Sequence, residues 1–509
     1  MHTINEITKE LDCEIYGNPE IKVTGISYDS REIKPGNIFV AIKGEHVDGK
    51  DFIFDAIRKG AKVIVSDNRI DNLPSDITLI VVKDTLKSLS VLSSNFYDNP
   101  SLKLNIIGVT GTNGKTTITY LVESIYKAAG IPIAVIGTIN NRFNNEIIRS
   151  KNTTPLSSEL QFLLNYALTN NIKDVVMEVS SHSLVLERVT NCEFDIGIFT
   201  NLSREHLDYH KTLDEYLNAK LKLFEKLSKE NKKNNKKYAI VNIDDPVSDK
   251  IINITNVPVI TYGLNKKSNI SFRNIEMTTN KLSFVINFKL NNIFNGGPTG
   301  EIKINTNLLG RYNIYNIIAS FACGVVKGID IDTIRKGIEA LEYVPGRLEK
   351  IDCGQKFTVI VDFAHTPAAL ENVLMMIKEF RPRKLITVFG CGGNRDRTKR
   401  PVMGEIAVSL SDYVIITSDN PREEDPEKIV LDIEVGIKRL NKDNYEVIID
   451  REKAIERALS IANKNDFVLI AGKGHENYQI IGKEYIPFDD REIVKKYLSI
   501  LKKKNNGKY

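Results

Sequence analysis

Residues Ile106-Ile-Gly-Val-Thr-Gly-Thr-Asn-Gly-Lys-Thr-Thr117 constrain this chain more than any other stretch. A short apolar run ends in a turn with two glycines, and a helix-type pattern opens at the lysine. Glycine belongs where backbone N–H groups must close around a ligand with no Cβ in the way. A helix beginning at that turn adds unpaired amides and the positive end of its dipole. The segment therefore predicts a buried strand, an anion-binding turn at Gly111, Thr112, Asn113 and Gly114, and a helix from Thr116 to Ala129 ended by Gly130. Lys115 is placed to reach terminal phosphates, and the Thr116 hydroxyl to serve a Mg²⁺ ion. The spacing departs from the common phosphate loop: two residues separate the glycines, and Val109 stands where the first glycine is usual. Nucleotide binding is the expectation.

Composition sets the background. The 509 residues allow two to four domains with sizeable cores. Charged residues at 27% and hydrophobic ones at 42% fit a soluble globular chain. The amino terminus lacks a basic start followed by an apolar run, and no stretch reaches about 18 consecutive apolar residues, so a cytoplasmic protein without membrane contact is expected. Five scattered cysteines argue against a disulfide framework. A net charge of +5 gives little support for nucleic-acid binding. The basic cluster Lys229 to Lys237 reads as a solvated, mobile insertion.

Three domains of α/β type follow from the alternation of patterns. Residues 1–100 carry short β-type runs around a helix from Phe52 to Lys59, and Asn99-Pro100 reads as a linker. Residues 101–345 alternate strands (131–136, 174–179, 195–200) with a helix at 156–169, which implies a mostly parallel sheet. Polar–apolar alternation from Ile270 to Ile304 suggests an antiparallel excursion before a helix at 314–327. Residues 346–509 alternate again, with strands expected at 357–361, 384–389, 412–417, 445–449 and 466–470. Polar loops begin where those strands end: Asp362 to Pro367, Gly390 to Arg397, Ser418 to Pro426 and Ala471 to Glu476. In open parallel sheets that is where ligands bind.

Two further residues stand at strand ends in the middle domain. His206 lies in Asn201 to His210, where an imidazole could face phosphates, and Glu178 closes Val175-Val-Met-Glu-Val179. A carboxylate there suits Mg²⁺, which prefers oxygen ligands and shares them with nucleotide phosphates.

These segments together resemble the Mur ligases, ATP-dependent enzymes that add amino acids to the peptidoglycan precursor. The resemblance runs nearly the whole chain, through Asp29-Ser-Arg31, Gly111 to Thr117, Asn152-Thr-Thr-Pro155, Glu178 to His182, Asn201 to His210, Tyr312 to Asn316, Gly346-Arg347, Asp362 to Pro367 and the three late loops. It implies a small N-terminal UDP-sugar domain, a central ATPase domain and a C-terminal Rossmann-like domain for the incoming amino acid. It implies that Lys115 contacts the β- and γ-phosphates, that Thr116 and Glu178 are ligands of one Mg²⁺, and that His206 is a ligand of a second. Thr117, Asn316, Arg347, Asp362 and His365 then belong to the ATP site. Ser30, Thr153, Thr154, Ser180 and Arg188 correspond to contacts with the UDP-sugar peptide, UDP-N-acetylmuramoyl-L-alanyl-D-glutamate. Leu186 departs from the pattern, since a polar residue often sits there. Lys220 by itself reads as a surface helix lysine, but the resemblance makes it a carbamylated lysine, an anionic ligand for a second Mg²⁺. A monomer is expected.

The late loops bear on the amino acid. Arg422, in Asp419-Asn-Pro-Arg422, matches the position that clamps the distal carboxylate of meso-diaminopimelate in relatives that add it, a bidentate task suited to a guanidinium. Arg395 could hold a carboxylate, and Glu476 with Asn420 and Gly472 the distal ammonium. L-Lysine as the added residue and a folylpolyglutamate-synthetase-like ligase remain alternatives, as does an ATP-hydrolysing binding module.

Overall fold

The computed structural model describes residues 2–44, 47–205, 207–229, 231–294 and 296–506. The chain divides into two compact units, Met1–Ser271 with Asn287–Glu301 and Tyr315–Gly337, and Phe272–Ile286 with Ile302–Ile314 and Ile338–Tyr509. Among the described residues no helix is long and apolar enough to cross a membrane.

In the first unit a five-stranded sheet runs in the order Cys13–Tyr16, Thr78–Val82, Val63–Ser66, Asn37–Val40, Gly25–Ser27. Only the first pairing is antiparallel. The helix Thr85–Phe96, capped by the Asp84 side chain, packs on it through Leu89 and Leu92. A second sheet carries the parallel strands Ile133–Ile136, Asp174–Glu178, Asn105–Thr110, Ile196–Phe199, Tyr238–Asn242 and Val259–Gly263 in that order. Its strands read as continuous Val/Ile runs because helices cover the sheet and bury both sides of each strand. Glu178 pairs in register with Val109, and Phe199 with Thr110, so three strand ends converge at the glycine turn. The run Ile270 to Ile304 forms the strands Ile270–Met277, Leu282–Lys289 and Thr299–Thr306, of which residues 272–286 and 302–306 belong to the second unit.

The basic segment before the strand Tyr238–Asn242 is solvated only in part: Lys229, Lys232 and Lys236 are exposed, whereas Lys233 and Lys237 turn inward. Lys233 Nζ lies 2.6 Å from Asp195 Oδ2 and also donates to the carbonyls of Leu104 and Glu193. Lys237 pairs with Glu193 at 2.6 Å. Both side chains are 5% exposed or less, because acidic residues and open carbonyls at the strand starts draw the ammonium groups inward.

The second unit holds a six-stranded sheet ordered Glu349–Ile351, Thr358–Asp362, Phe467–Ala471, Leu385–Phe389, Tyr413–Ile416, Tyr445–Val447, parallel after the first pair. The four polar loops leave its carboxyl ends. Helices Lys399–Leu410 and Pro426–Arg439 pack with their backbones close together. A Cβ on Gly436 would stand 1.9 Å from the Pro401 carbonyl oxygen, and one on Gly404 2.5 Å from that of Ile433. Neither neighbour can move without displacing a helix. Gly436→Ala should lower unfolding stability by about 1–3 kcal/mol, read by denaturant titration; an unchanged midpoint would contradict this packing.

Candidate nucleotide and amino-acid sites

The strand Asn105–Thr110 delivers the glycine turn to the head of the parallel sheet. Gly111 and Gly114 have φ of +143° and +90°. A Cβ on the first would stand 1.8 Å from Thr200 Oγ1 and on the second 2.3 Å from Asn316 Oδ1, so only glycine fits either position. Thr112 N–H donates to the Asn201 carbonyl at 2.8 Å and Asn113 N–H to Asn201 Oδ1 at 3.0 Å, which ties the turn to the next strand's loop. The helix Lys115–Ala128 begins with no side-chain cap, leaving its first amides for an anion.

Two lysines meet at this turn. Lys115 Nζ donates to the Gly111 and Thr112 carbonyls at 2.9 and 2.8 Å. Lys220 Nζ, on the helix Leu213–Ser228, donates to the same Gly111 oxygen at 2.8 Å and lies 4.2 Å from the Tyr216 ring centre. Lys220 is 1% exposed, not a surface residue. Burial first, and the Lys115 charge second, hold its amine well below the usual lysine range. The helix is amphipathic, and its turn spacing puts Lys220 on the face of Tyr216, Leu223 and Phe224.

Glu178 is buried beside the turn. Its carboxylate accepts Thr116 Oγ1 at 3.0 and 3.1 Å, the Thr138 amide at 2.8 Å and Thr138 Oγ1 at 3.0 Å. A Cβ on Gly137 would stand 2.5 Å from Glu178 Oε1, so that glycine makes room for the carboxylate. No described lysine or arginine forms an ion pair with it. A buried anion satisfied by neutral donors alone, next to a threonine hydroxyl, is an oxygen donor set that fits Mg²⁺. His206 lies outside the described residues.

The expected peptide contacts gather nearby. Thr153 Oγ1 accepts from Thr138 at 3.0 Å. Thr154 Oγ1 donates to the Glu178 carbonyl at 2.7 Å and accepts the Ser180 amide at 3.1 Å. Arg188 Nη1 donates to the Thr154 carbonyl at 2.9 Å, while its Nε is buried with no partner among the described residues. Ser30 opens a short helical turn after Asp29 and is buried. Thr138 was not expected from the sequence. Its only signal is its place just past the strand Ile133–Ile136.

In the second unit, Asp362 accepts the Leu348 and Ala364 amides at 2.7 and 2.8 Å, and burial raises its carboxyl above the usual range. Arg347 lies over Phe363 at 4.9 Å, and His365 Nδ1 pairs with the Phe363 carbonyl at 2.8 Å. The loops at 390–397, 418–426 and 471–476 bring the amino-acid residues together. Arg422 adopts φ +52°, held by its N–H to the Ile480 carbonyl and by Gly482 N–H to its own carbonyl. Its Nη1 donates to the Gly393 carbonyl at 2.8 Å and reaches the Asn420 carbonyl at 3.5 Å, and its Nε and Nη2 have no hydrogen-bond acceptor among the described residues. Burial, then the Arg395 charge, lower its pKa. Arg395 is exposed, and its Nη1 donates to the Asn394 carbonyl at 3.4 Å. Asn420 Nδ2 donates to Glu476 Oε2 at 2.9 Å. Gly472 has φ +117°, and a Cβ there would meet Asp419 Oδ2 at 2.6 Å. Lys473 and the fully buried Arg400, which binds Glu424 and the Gly392 carbonyl, were missed. A lone lysine between glycines and a helix arginine give no signal in one sequence.

A glycine cradle at the head of a parallel sheet, with buried lysines and a threonine–carboxylate pair, defines a phosphate-loop nucleotide-binding protein. The profile of the Mur ligase middle domain matches residues 109–324, that of the Mur ligase glutamate ligase domain residues 346–474, and that of the Mur ligase family catalytic domain residues 22–97. A UDP-N-acetylmuramoyl-L-alanyl-D-glutamate--2,6-diaminopimelate ligase of Bacillus cereus is 43% identical over 98% of both chains. One of Clostridium tetani is 44% identical over 98% of this chain and 99% of its own. A solved structure with the same name superposes with a TM-score of 0.67 at 32% identity, over 98% of this chain and 99% of that one. The chain belongs to the Mur ligase family.

Gly114→Ala should weaken nucleotide binding at least about tenfold by calorimetry, since the added carbon displaces Asn316 or opens the turn. Gly130→Ala, at the far end of the same helix with nothing within 4 Å, should leave nucleotide affinity unchanged.

Proposed function

We infer that this chain is an ATP-dependent ligase that joins meso-2,6-diaminopimelate to UDP-N-acetylmuramoyl-L-alanyl-D-glutamate, releasing ADP and phosphate. The observation that carries this reading is the match, at 43–44% identity over nearly the whole length, to relatives named for that reaction. The match includes residues 22–97 and the Asn-Pro-Arg loop, which a folylpolyglutamate-synthetase-like ligase would lack. The enzyme works in the cytoplasm, as a monomer, in peptidoglycan precursor synthesis.

The residues take the following roles. The uncapped helix start and Lys115 hold the β- and γ-phosphates of ATP, with Asn316, Arg347, Asp362 and His365 toward base and ribose. Ser30, Thr153, Thr154, Ser180 and Arg188 orient the UDP-sugar peptide, Arg188 offering its unpartnered Nε toward a carboxylate. The peptide carboxylate attacks the γ-phosphate to give an acyl phosphate and ADP, and the amine of the incoming amino acid displaces phosphate. Lys115 and the turn amides stabilise charge on the transferring phosphoryl group. Thr116 and Glu178 would hold one Mg²⁺ and His206 a second, and these ions would neutralise phosphate charge when bound. Lys220, whose amine burial holds well below the usual lysine range, is set to take up CO₂ as a carbamate and to join His206 at the second ion.

The domains fall at 1–100 for the UDP-sugar, 101–345 for ATP and 346–509 for the amino acid. In the last, Arg422 has unused N–H donors for a distal carboxylate, and Glu476 with Asn420 and Gly472 takes the ammonium. Lysine lacks that carboxylate and would leave Arg422 unpaired, a costly outcome.

The test is phosphate release with ATP, Mg²⁺ and the nucleotide dipeptide, with meso-diaminopimelate or L-lysine in parallel. Turnover with diaminopimelate should exceed that with lysine at least about a hundredfold. Arg422→Lys should raise KM for diaminopimelate about tenfold or more while sparing KM for ATP. Equal turnover with lysine would contradict the specificity, and phosphate release without any amino acid would contradict the ligase.

A further inference from the structure

Lys473 is a fully buried lysine that no step above uses. It sits in Ala471-Gly-Lys-Gly-His-Glu476 between two glycines with positive φ, Gly472 at +117° and Gly474 at +53°. Both are pressed against neighbours: a Cβ on Gly472 would meet Asp419 at 2.6 Å, and one on Gly474 would meet Phe363 at 2.7 Å. The loop backbone is therefore pinned on either side of the lysine, and the side chain is directed inward.

Its ammonium has two acceptors. Nζ donates to Asn420 Oδ1 at 3.1 Å and to Glu476 Oε2 at 3.0 Å. Asn420 Oδ1 also accepts the Ile480 amide at 3.0 Å. With two donors on its oxygen, the Asn420 amide can take only one orientation, its Nδ2 toward Glu476 Oε2 at 2.9 Å. Glu476 Oε2 thus receives both a lysine and an amide proton, whereas Oε1 takes no hydrogen bond from a described residue. One cation fixes the aim of both side chains that the previous section assigns to the substrate ammonium.

We propose that Lys473 is a positioning residue for amino-acid selection: it locks Asn420 and Glu476 so that Glu476 Oε1 alone is presented to the distal ammonium of a zwitterionic diamino acid. The proposal rests on the diaminopimelate reading of this pocket. A buried ion pair adds little net stability compared with an apolar pair of the same shape. Its role here is geometric. Without Lys473, the amide of Asn420 can turn over and the Glu476 carboxylate can rotate, so the ammonium meets a mobile acceptor.

The test is steady-state ligation by Lys473→Met and Lys473→Gln, with each of the three substrates varied in turn and thermal unfolding followed alongside. Lys473→Met keeps the aliphatic stem and removes charge and donors; Lys473→Gln keeps donors without charge and carries the same comparison should the first fail to fold. KM for meso-diaminopimelate should rise about 10- to 100-fold in Lys473→Met, with kcat and the KM values for ATP and nucleotide dipeptide within about threefold of wild type. Adding Lys473→Met to Glu476→Gln should cost much less than it does alone, since the group it aims is gone. An unchanged diaminopimelate KM, or equal losses for all three substrates, would overturn the proposal. Wild-type enzyme that does not use diaminopimelate would instead overturn the reading on which it rests.

Discussion

The structure of the first unit turns on a single carbonyl oxygen. Gly111 O accepts both Lys115 and Lys220, and that convergence is possible only because Gly111 adopts φ +143° with no Cβ against Thr200. The parallel register brings Glu178 and Thr200 to the same level as the turn, and the amphipathic helix Leu213–Ser228 brings Lys220 from the other side. Basic groups on one edge and a buried carboxylate on the other make a place for a polyphosphate. Burial matters as much as charge.

The second unit solves a different problem with similar means. Its four loops leave the carboxyl ends of a parallel sheet, where strand order makes room for ligands. Recognition of a zwitterion requires both charges in one pocket without mutual collapse. Arg422 is kept from Glu476 by its bond to the Gly393 carbonyl and its strained left-handed backbone, and Glu476 is held by Lys473 and Asn420. Arg400, buried on Glu424, Asp432 and the Gly392 carbonyl, ties the two arginine-bearing loops to the helices Lys399–Leu410 and Pro426–Arg439.

Much of this was readable in the sequence where local pattern and tertiary burial agree. The apolar runs expected at 384–389, 412–417 and 466–470 are the strands Leu385–Phe389, Tyr413–Ile416 and Phe467–Ala471, because a strand buried on both faces leaves a continuous hydrophobic record. The helix Thr85–Phe96 was not legible, since its buried positions include Ser88, Ser90, Ser93 and Ser94, which read as loop. Lys220 and Lys233 were misread by composition for one reason: a lysine's burial depends on acceptors distant in sequence, Gly111 and Asp195, that no local window contains. The brace residues Thr138 and Lys473 escaped notice on the same ground.

The most direct measurement is a high-resolution crystal structure of the protein with Mg²⁺ and a non-hydrolysable ATP analogue. The account predicts phosphates against the Gly111–Thr117 turn, Lys115 Nζ moved from the Gly111 carbonyl to the β- and γ-phosphates, and carboxylate density on Lys220 facing a metal ion. An unmodified Lys220 still bonded to Gly111 O, with the nucleotide bound elsewhere, would contradict it.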